Sequence, residues 1–129
     1  MPANIKVLII DDEADFCHFV KTNLMQSGPF DVLIATTGTE GLQLAQTERP
    51  DIILLDLFMP EMPGEDVANA LQENPKTASI PILFVTALAS NDDISQNEVG
   101  KIGNHYMMPK PIRTKKLAQT ILKILNRTL

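Results

Sequence analysis

The sequence predicts one α/β domain in which a parallel β-sheet carries helices on both of its faces. Short apolar runs alternate with helical patterns five times along the 129 residues, and this alternation is typical of consecutive βαβ units. The runs contain almost no polar residue, as expected of central strands that are buried on both faces. The length suits a single domain, which we predict to cover residues 1–129.

Five strands are expected from the apolar runs that turn-forming residues bound. The run at Asp51–Leu55 is the most apolar and is expected at the centre of the sheet. Pro81 fits because a proline can occupy the first position of a strand. The predicted strands are Lys6–Ile10, Val32–Ala35, Asp51–Leu55, a strand introduced by Ile80-Pro81, and His105–Met108.

Five helices are expected after these strands. The first has Phe16, Val20 and Leu24 at helical spacing, and Ser27-Gly28-Pro29 ends it. The fourth is unusually polar and follows Ser90-Asn91-Asp92-Asp93, which resembles a capping box. The predicted helices are about Ala14 to Gln26, Gly41 to Thr47, Glu65–Asn74, the polar helix ending near Lys101, and Arg113–Arg127.

Composition and charge exclude several classes of function. The chain is 44% hydrophobic and 21% charged, which is ordinary for a globular protein, and no apolar stretch approaches the length of a membrane span. The net charge of −5 disfavours direct nucleic acid binding by this domain. The single cysteine, Cys17, cannot form an internal disulfide, which favours a reducing, cytoplasmic location.

Chemically useful side chains follow four of the predicted strands. Asp11 and Asp12 follow the first strand, Asp56 follows the third, Thr86 follows the fourth, and Lys110 comes shortly after the fifth. Ligands of open parallel sheets bind at the carboxyl ends of the strands. We therefore expect three carboxylates, a hydroxyl and an ammonium to converge at one edge of the sheet.

Three converging carboxylates need a cation. Two carboxylates about 4 Å apart repel each other by roughly 4 kcal/mol at an effective dielectric constant near 20. Oxygen ligands that leave a coordination shell incomplete favour Mg²⁺ over Ca²⁺. Beside this ion, a carboxylate can act as a nucleophile toward phosphorus. Lys110 would then neutralise charge on the transferring group, and Thr86 would donate a hydrogen bond to it.

The motifs together resemble the receiver domain of bacterial two-component response regulators, over almost the whole chain. The residues that carry the resemblance are Asp11-Asp12, the loop from Asp56 to Gly64 (DLFMPEMPG), Thr86-Ala87 and Lys110-Pro111. The resemblance implies a flavodoxin-like, doubly wound, five-stranded parallel sheet of order 2-1-3-4-5. It also implies phosphoryl transfer from the phosphohistidine of a sensor histidine kinase or phosphotransfer protein. A downstream protein target or a fused output domain would read the resulting conformational change.

The resemblance implies a role for each site residue. Asp56 is the expected phosphoacceptor. The expected direct Mg²⁺ ligands are Asp12, Asp56 and the backbone carbonyl of Phe58, and Asp11 is expected to bind the ion through water. The expected phosphate-binding groups are Thr86, the backbone amide of Ala87, and Lys110. The peptide bond between Lys110 and Pro111 is expected to be cis.

The expected switch positions are Thr86 and Met107, and here the chain departs from the family pattern. Met107 stands where an aromatic residue is usual, three residues before Lys110. Tyr106 is one residue earlier, so the alternation of side chains along a strand should place it on the opposite face. We expect Thr86 to move on phosphorylation without an inward rotation of Tyr106.

Two other functions stay open at this stage. One is an interaction module of the same fold that is never phosphorylated. The other is a phosphatase that forms an aspartyl phosphate, although such enzymes typically carry a second Asp where this chain has Phe58. No turnover of a separate substrate is expected, so we do not predict an enzyme. The last helix has a wide apolar arc that ends at Leu129. Two interpretations of this arc stay open, ordinary core packing and a homodimer surface.

Overall fold

The computed structural model describes residues 4–87, 100–102 and 105–127, with the backbone alone at 100–102. The strands are β1 (Ile5–Ile10), β2 (Phe30–Ala35), β3 (Ile52–Leu55), β4 (Ile82–Thr86), β5 (Gly100–Ile102) and β6 (His105–Pro109). The described helices are α1 (Ala14–Ser27), α2 (Gly38–Glu48), α3 (Gly64–Glu73) and α4 (Thr114–Leu125).

The five long strands form the predicted parallel sheet. β1 pairs in parallel with β2 and with β3, β3 pairs with β4, and β4 pairs with β6. β6 is the fifth predicted strand, so the predicted order 2-1-3-4-5 is confirmed. The short strand β5 adds an antiparallel edge, which makes the order of the whole sheet β2-β1-β3-β4-β6-β5.

The predicted polar helix is wrong at its end. Lys101 lies in β5, opposite Tyr106 of β6, instead of in the last turn of a helix. Gly100 is a poor helix former, and a short strand at this place covers the open hydrogen-bonding edge of β6. The rest of the predicted helix, including Ser90-Asn91-Asp92-Asp93, lies outside the described residues.

Helix α2 begins earlier than predicted, at Gly38 instead of Gly41. The hydroxyl of Thr37 accepts a hydrogen bond from the backbone N–H of Glu40 at 3.1 Å. The Glu40 carboxylate in turn accepts one from the backbone N–H of Thr36 at 3.0 Å. These bonds satisfy free amide groups at the start of the helix, and they explain the additional turn.

Two apolar layers, one on each face of the sheet, hold the strands in place. On one face, Val7 and Ile9 of β1 pack with buried residues of α1 and α4; on the other, Leu8 and Ile10 pack with those of α2 and α3. The helices therefore cover both faces, as predicted. At Gly41 the approach is so close that a Cβ atom would lie 2.5 Å from Cδ1 of Ile10.

Most of the apolar arc of α4 is core packing. Leu117 and Ile121 are buried, and Leu122, Ile124 and Leu125 pack against the same layer while partly exposed. Leu129, at the end of the arc, lies outside the described residues. Within the described part of the chain, no helix has both the length and the apolar character that crossing a membrane requires.

Candidate functional site

Backbone hydrogen bonds continue past the strand ends and fix the residues that follow. The N–H of Asp11 donates to the carbonyl of Ala35 at 3.0 Å, and the N–H of Asp56 donates to the carbonyl of Ile10 at 3.0 Å. The N–H of Lys110 donates to the carbonyl of Thr86 at 2.9 Å. The side chains of these three donors therefore start from a rigid edge of the sheet.

The three predicted carboxylates converge at this edge. Asp11, Asp12 and Asp56 each offer a carboxylate oxygen, and these oxygens lie within 4.8 Å of one another. Asp11 and Asp56 are buried, whereas Asp12 is exposed. Oδ2 of Asp11 is a buried oxygen that lies 2.8 Å from Nζ of Lys110. Such a set of hard oxygen donors, with more negative charge than one ammonium balances, fits a small divalent cation.

Lys110 reaches the same edge and meets three groups there. Its Nζ atom lies 2.8 Å from Oδ2 of Asp11 and 2.7 Å from Oε1 of Glu13, as two ion pairs. The ring of Phe16 lies beside it, with 4.3 Å between Nζ and the ring centroid. The peptide bond from Lys110 to Pro111 is cis, in agreement with the expectation.

Burial and like charge shift the ionisation of the buried carboxyl groups. Burial, followed by the negative charge of Asp11, raises the pKa of Asp56 from 3.8 to about 6. The pKa of Asp11 is also raised, mainly by burial, although Lys110 acts in the opposite direction. Burial lowers the pKa of Lys110, but hydrogen bonds to Asp11 and Glu13 outweigh it, so that the net shift is upward. The site has more negative charge than Lys110 alone can compensate.

A cleft opens above these groups, and we call it the acidic cleft. Phe58 lines this cleft with 58% of its surface exposed, whereas Thr86 lines it as a buried residue. Every predicted Mg²⁺-binding or phosphate-binding residue except the buried Asp11 lines it. The lining residues are Asp12, Glu13, Asp56, Phe58, Thr86, Ala87 and Lys110.

The loop that follows Asp56 is held at both of its ends. The N–H of Gly64 donates to the carbonyl of Leu57 at 2.8 Å, and a Cβ atom at Gly64 would overlap the carbonyl oxygen of Asp56. In the middle of the loop, the Glu61 carboxylate accepts a hydrogen bond of 2.8 Å from the N–H of Gly38 at the start of α2. Only a glycine at position 64 lets the chain turn this closely beneath the site.

The two residues at the expected switch position face opposite sides of the sheet. Met107 is buried in the layer that contains Phe84, and Phe84 is its partner on the adjacent strand. Tyr106 is half-buried and packs against the other layer, with α1 and α4. The predicted alternation is therefore confirmed. The thioether of Met107 lies on one face of the sheet, and the ring of Tyr106 lies on the other.

Sequence reasoning missed Glu13 and Phe16 as parts of the site. The available signal was the third consecutive acid in Asp11-Asp12-Glu13. Nothing local in the sequence indicates that Lys110 lies against the first turn of α1, because the contact with Glu13 joins residues 97 positions apart. Cys17 is nearby, but burial raises the pKa of its thiol to about 12, which makes it a neutral core residue.

Comparison with known proteins places this geometry in a family. Residues 7–122 match the family model of the response regulator receiver domain. A probable transcriptional regulator ycf27 from Guillardia theta is 37% identical over 124 residues, which cover 95% of this chain and 46% of the relative. The transcriptional regulatory protein PhoP for alkaline phosphatase synthesis, from Bacillus subtilis, is 33% identical, over 97% of this chain and 50% of its own length. The chain thus spans about half the length of the curated relatives it matches.

Solved structures agree with the same assignment. Chemotaxis protein CheY4 from Vibrio cholerae superposes with a TM-score of 0.80 at 29% identity, over 95% of this chain and 99% of that one. The receiver domain of the Francisella response regulator 1452 has a TM-score of 0.78 at 27% identity, over 98% of this chain and 100% of that one.

In metal-free protein at pH 7, Asp56→Asn is expected to raise the free energy of unfolding by about 1 to 2 kcal/mol. The pKa of Asp56 is about 6 in the folded chain, above its ordinary 3.8, so folding is destabilised as the pH rises through that window. The full difference between these two pKa values corresponds to about 3 kcal/mol of unfolding free energy, and solvent screening at the open cleft reduces this value. Urea unfolding in EDTA at pH 7 and at pH 3.5 measures the effect.

The matched control is Asp66→Asn, which removes an exposed carboxylate from α3. Its effect should stay within about 0.5 kcal/mol at both pH values. At pH 3.5, below the ordinary pKa of 3.8, the carboxyl group is mostly protonated in both states, so the stabilities of wild type and Asp56→Asn should approach each other. Equal stability of these two proteins at pH 7 would contradict the prediction.

Proposed function

The chain belongs to the response regulator receiver domain family of two-component signal transduction, and from this premise we propose that Asp56 accepts the phosphoryl group. The observation that carries the proposal is the convergence of Asp11, Asp12 and Asp56 with Lys110 at one end of the sheet. The acidic cleft above Asp56 also has Thr86 and Ala87 among its lining residues. A phosphoryl group of three oxygens would meet a cation, a hydroxyl and a backbone amide there.

Asp56 is the nucleophile in this proposal. Without a bound cation, burial and the charge of Asp11 raise its pKa to about 6, and a cation bound beside it would favour the ionised form that attacks phosphorus. An oxygen of Asp56 forms a bond to the phosphorus of a phosphohistidine, and the P–N bond breaks. The imidazole nitrogen leaves with the electron pair of that bond. Lys110 neutralises charge on the phosphoryl oxygens, while Thr86 and the amide of Ala87 donate hydrogen bonds to them.

The residues that would hold Mg²⁺ are Asp11, Asp12, Asp56 and the backbone carbonyl of Phe58. Their oxygens suit a hard cation that keeps some of its waters, and the convergence of the three carboxylate oxygens within 4.8 Å supports the assignment. A bound Mg²⁺ supplies positive charge that offsets repulsion among the carboxylates and the charge of the transferring group.

The two alternative functions fit the site less well. An aspartyl-phosphate phosphatase would need an acid near the leaving group, and the residue two positions after Asp56 is the exposed Phe58. An interaction module that is never phosphorylated has no use for so costly a concentration of charge. We therefore propose that the chain turns over no separate substrate.

The proposed partners follow from the family and the named relatives. A sensor histidine kinase or phosphotransfer protein would donate the phosphoryl group, in the cytoplasm. A protein target or an output domain of a longer chain would read the modified state; the ycf27 and PhoP relatives are named as transcriptional regulators. With its net charge of −5, this domain would leave nucleic acid binding to such an output. A homodimer through α4 is the weaker option because the described apolar residues of that helix pack on the core.

We further propose that Thr86 and Met107 carry the conformational change without Tyr106. Phosphorylation should shift the resonances of the Thr86 methyl group, whereas the ring resonances of Tyr106 should stay nearly unchanged because that ring packs on the opposite face of the sheet. Side-chain NMR of the free and phosphorylated protein is the measurement, with Tyr106→Phe as a variant that should preserve the Thr86 shift. Burial of the Tyr106 ring in the phosphorylated form alone would contradict the proposal.

Incubation with acetyl phosphate and Mg²⁺ is expected to add one phosphoryl group to the wild type, as read by intact mass. Asp56→Asn should gain none, because the amide is not a nucleophile of comparable strength. The control Asp66→Asn, which changes an exposed acid on α3, should be modified like the wild type. A phosphoryl group found on Asp56→Asn would refute the assignment of the acceptor.

Mg²⁺ is expected to stabilise the folded protein by about 2.7 kcal/mol at a free concentration one hundred times its dissociation constant. Asp12→Asn should lose most of this effect, although Asp12 is exposed and its replacement should change the metal-free stability little. Thermal unfolding across a Mg²⁺ titration gives both numbers, with Asp66→Asn again as the control. The same Mg²⁺ response in Asp12→Asn and wild type would speak against the metal assignment.

A further inference from the structure

The ammonium group of Lys110 is surrounded before any phosphoryl group arrives. It has three N–H donors, and three groups lie around it: the carboxylates of Asp11 and Glu13 at 2.8 and 2.7 Å, and the ring of Phe16 at 4.3 Å. A phosphoryl oxygen that approaches Lys110 from the acidic cleft competes with these groups for the ammonium, and of the three only Glu13 is among the residues that line that cleft. Which one leaves can be decided from their burial.

Asp11 is the partner that is hardest to displace. Its side chain is 2% exposed, and its Oδ1 already accepts a hydrogen bond of 2.9 Å from the N–H of Glu13. Removing a cation from a buried carboxylate leaves an uncompensated charge, which is strongly unfavourable. Phe16 attracts the ammonium only weakly and does not compete for its hydrogen bonds.

Glu13 is the partner that can leave at little cost. Its side chain is 61% exposed, so the free carboxylate returns to water, and exposed ion pairs contribute little to stability. Glu13 is the N-cap residue of α1, yet its side chain makes no capping hydrogen bond. Its carboxylate therefore does not hold the helix together, and among the described residues its ion-pair partner is Lys110.

We propose that Glu13 is a positioning residue that holds Lys110 in the unphosphorylated protein and occupies the place that a phosphoryl oxygen takes afterwards. The inference rests on the proposed phosphorylation of Asp56. Because the contact exists only before transfer, it stabilises the unphosphorylated state selectively. Glu13 thereby slows phosphorylation and leaves hydrolysis of the phosphoryl group nearly unaffected.

The test compares rates of modification by acetyl phosphate at saturating Mg²⁺, followed by intact mass. In each turnover an oxygen of Asp56 bonds to phosphorus, the bond from phosphorus to the acetyl oxygen breaks, and acetate leaves with the electron pair. Glu13→Gln should be modified about two- to fivefold faster than wild type, as expected for the loss of an exposed ion pair. Its rate of phosphoryl hydrolysis should stay within about twofold, because the contact with Lys110 is already absent from the phosphorylated state.

Two further variants distinguish loss of the ion pair between Glu13 and Lys110 from loss of negative charge alone. Asp15→Asn removes an exposed acid from the same turn of α1 without touching Lys110, and its rate should match the wild type. Glu13→Asp keeps the charge, but its carboxylate is one methylene shorter and should lose the contact. It should therefore accelerate modification as Glu13→Gln does. Melting temperatures in EDTA check that all three variants are folded.

Acceleration in both Glu13 variants, but not in Asp15→Asn, supports the proposal. Equal acceleration in Glu13→Gln and Asp15→Asn would mean general repulsion of an anionic donor, and slower modification of the Glu13 variants would mean a supporting role; either result overturns it. Wild type that takes up no phosphoryl group would instead refute the proposed function, and the inference with it.

Discussion

Mutual repulsion of carboxylates at one edge of the sheet is the interaction on which the rest of the structure depends. Asp11 and Asp56 are buried beside each other and beside Asp12, with Lys110 as the ammonium that pairs with Asp11. Burial, and then the negative charge of Asp11, raise the pKa of Asp56, so Lys110 leaves part of this charge unbalanced. The two apolar layers must supply the stability that this edge lacks, since they hold the strand ends where the carboxylates start.

The site combines a rigid part with a part that can move. Asp11 and Asp56 leave the sheet at positions that backbone hydrogen bonds fix, and short side chains carry their oxygens. Lys110 and Glu13, in contrast, meet through long side chains. Short acids on a rigid edge give the cluster its geometry before a cation or phosphoryl group binds. Long side chains can exchange partners without any change in the backbone.

The sequence predicts the parallel sheet and the converging site because both follow from local patterns. Apolar runs identify the strands, and the polar residue after each run identifies the edge where the acids meet. The start of α2 needed the reciprocal bonds around Thr37, and β5 needed a free edge on β6 to pair with. The contact of Glu13 with Lys110 depends on where a flexible side chain points after folding. Such features arise from tertiary structure, which periodicity does not encode.

A shift of one residue along β6 changes how this site can communicate with the surface. Side chains alternate between the faces of a strand, so an aromatic ring at position 106 lies in the layer of α1 and α4, and a thioether lies in the layer of Phe84. Met107 has no hydroxyl to exchange hydrogen bonds, but its unbranched chain can fill a changing space. In the proposed switch, displacement of Thr86 is therefore answered by repacking around Met107 and Phe84. In that proposal the signal is a change of apolar packing on one face, instead of the rotation of a ring between the core and solvent.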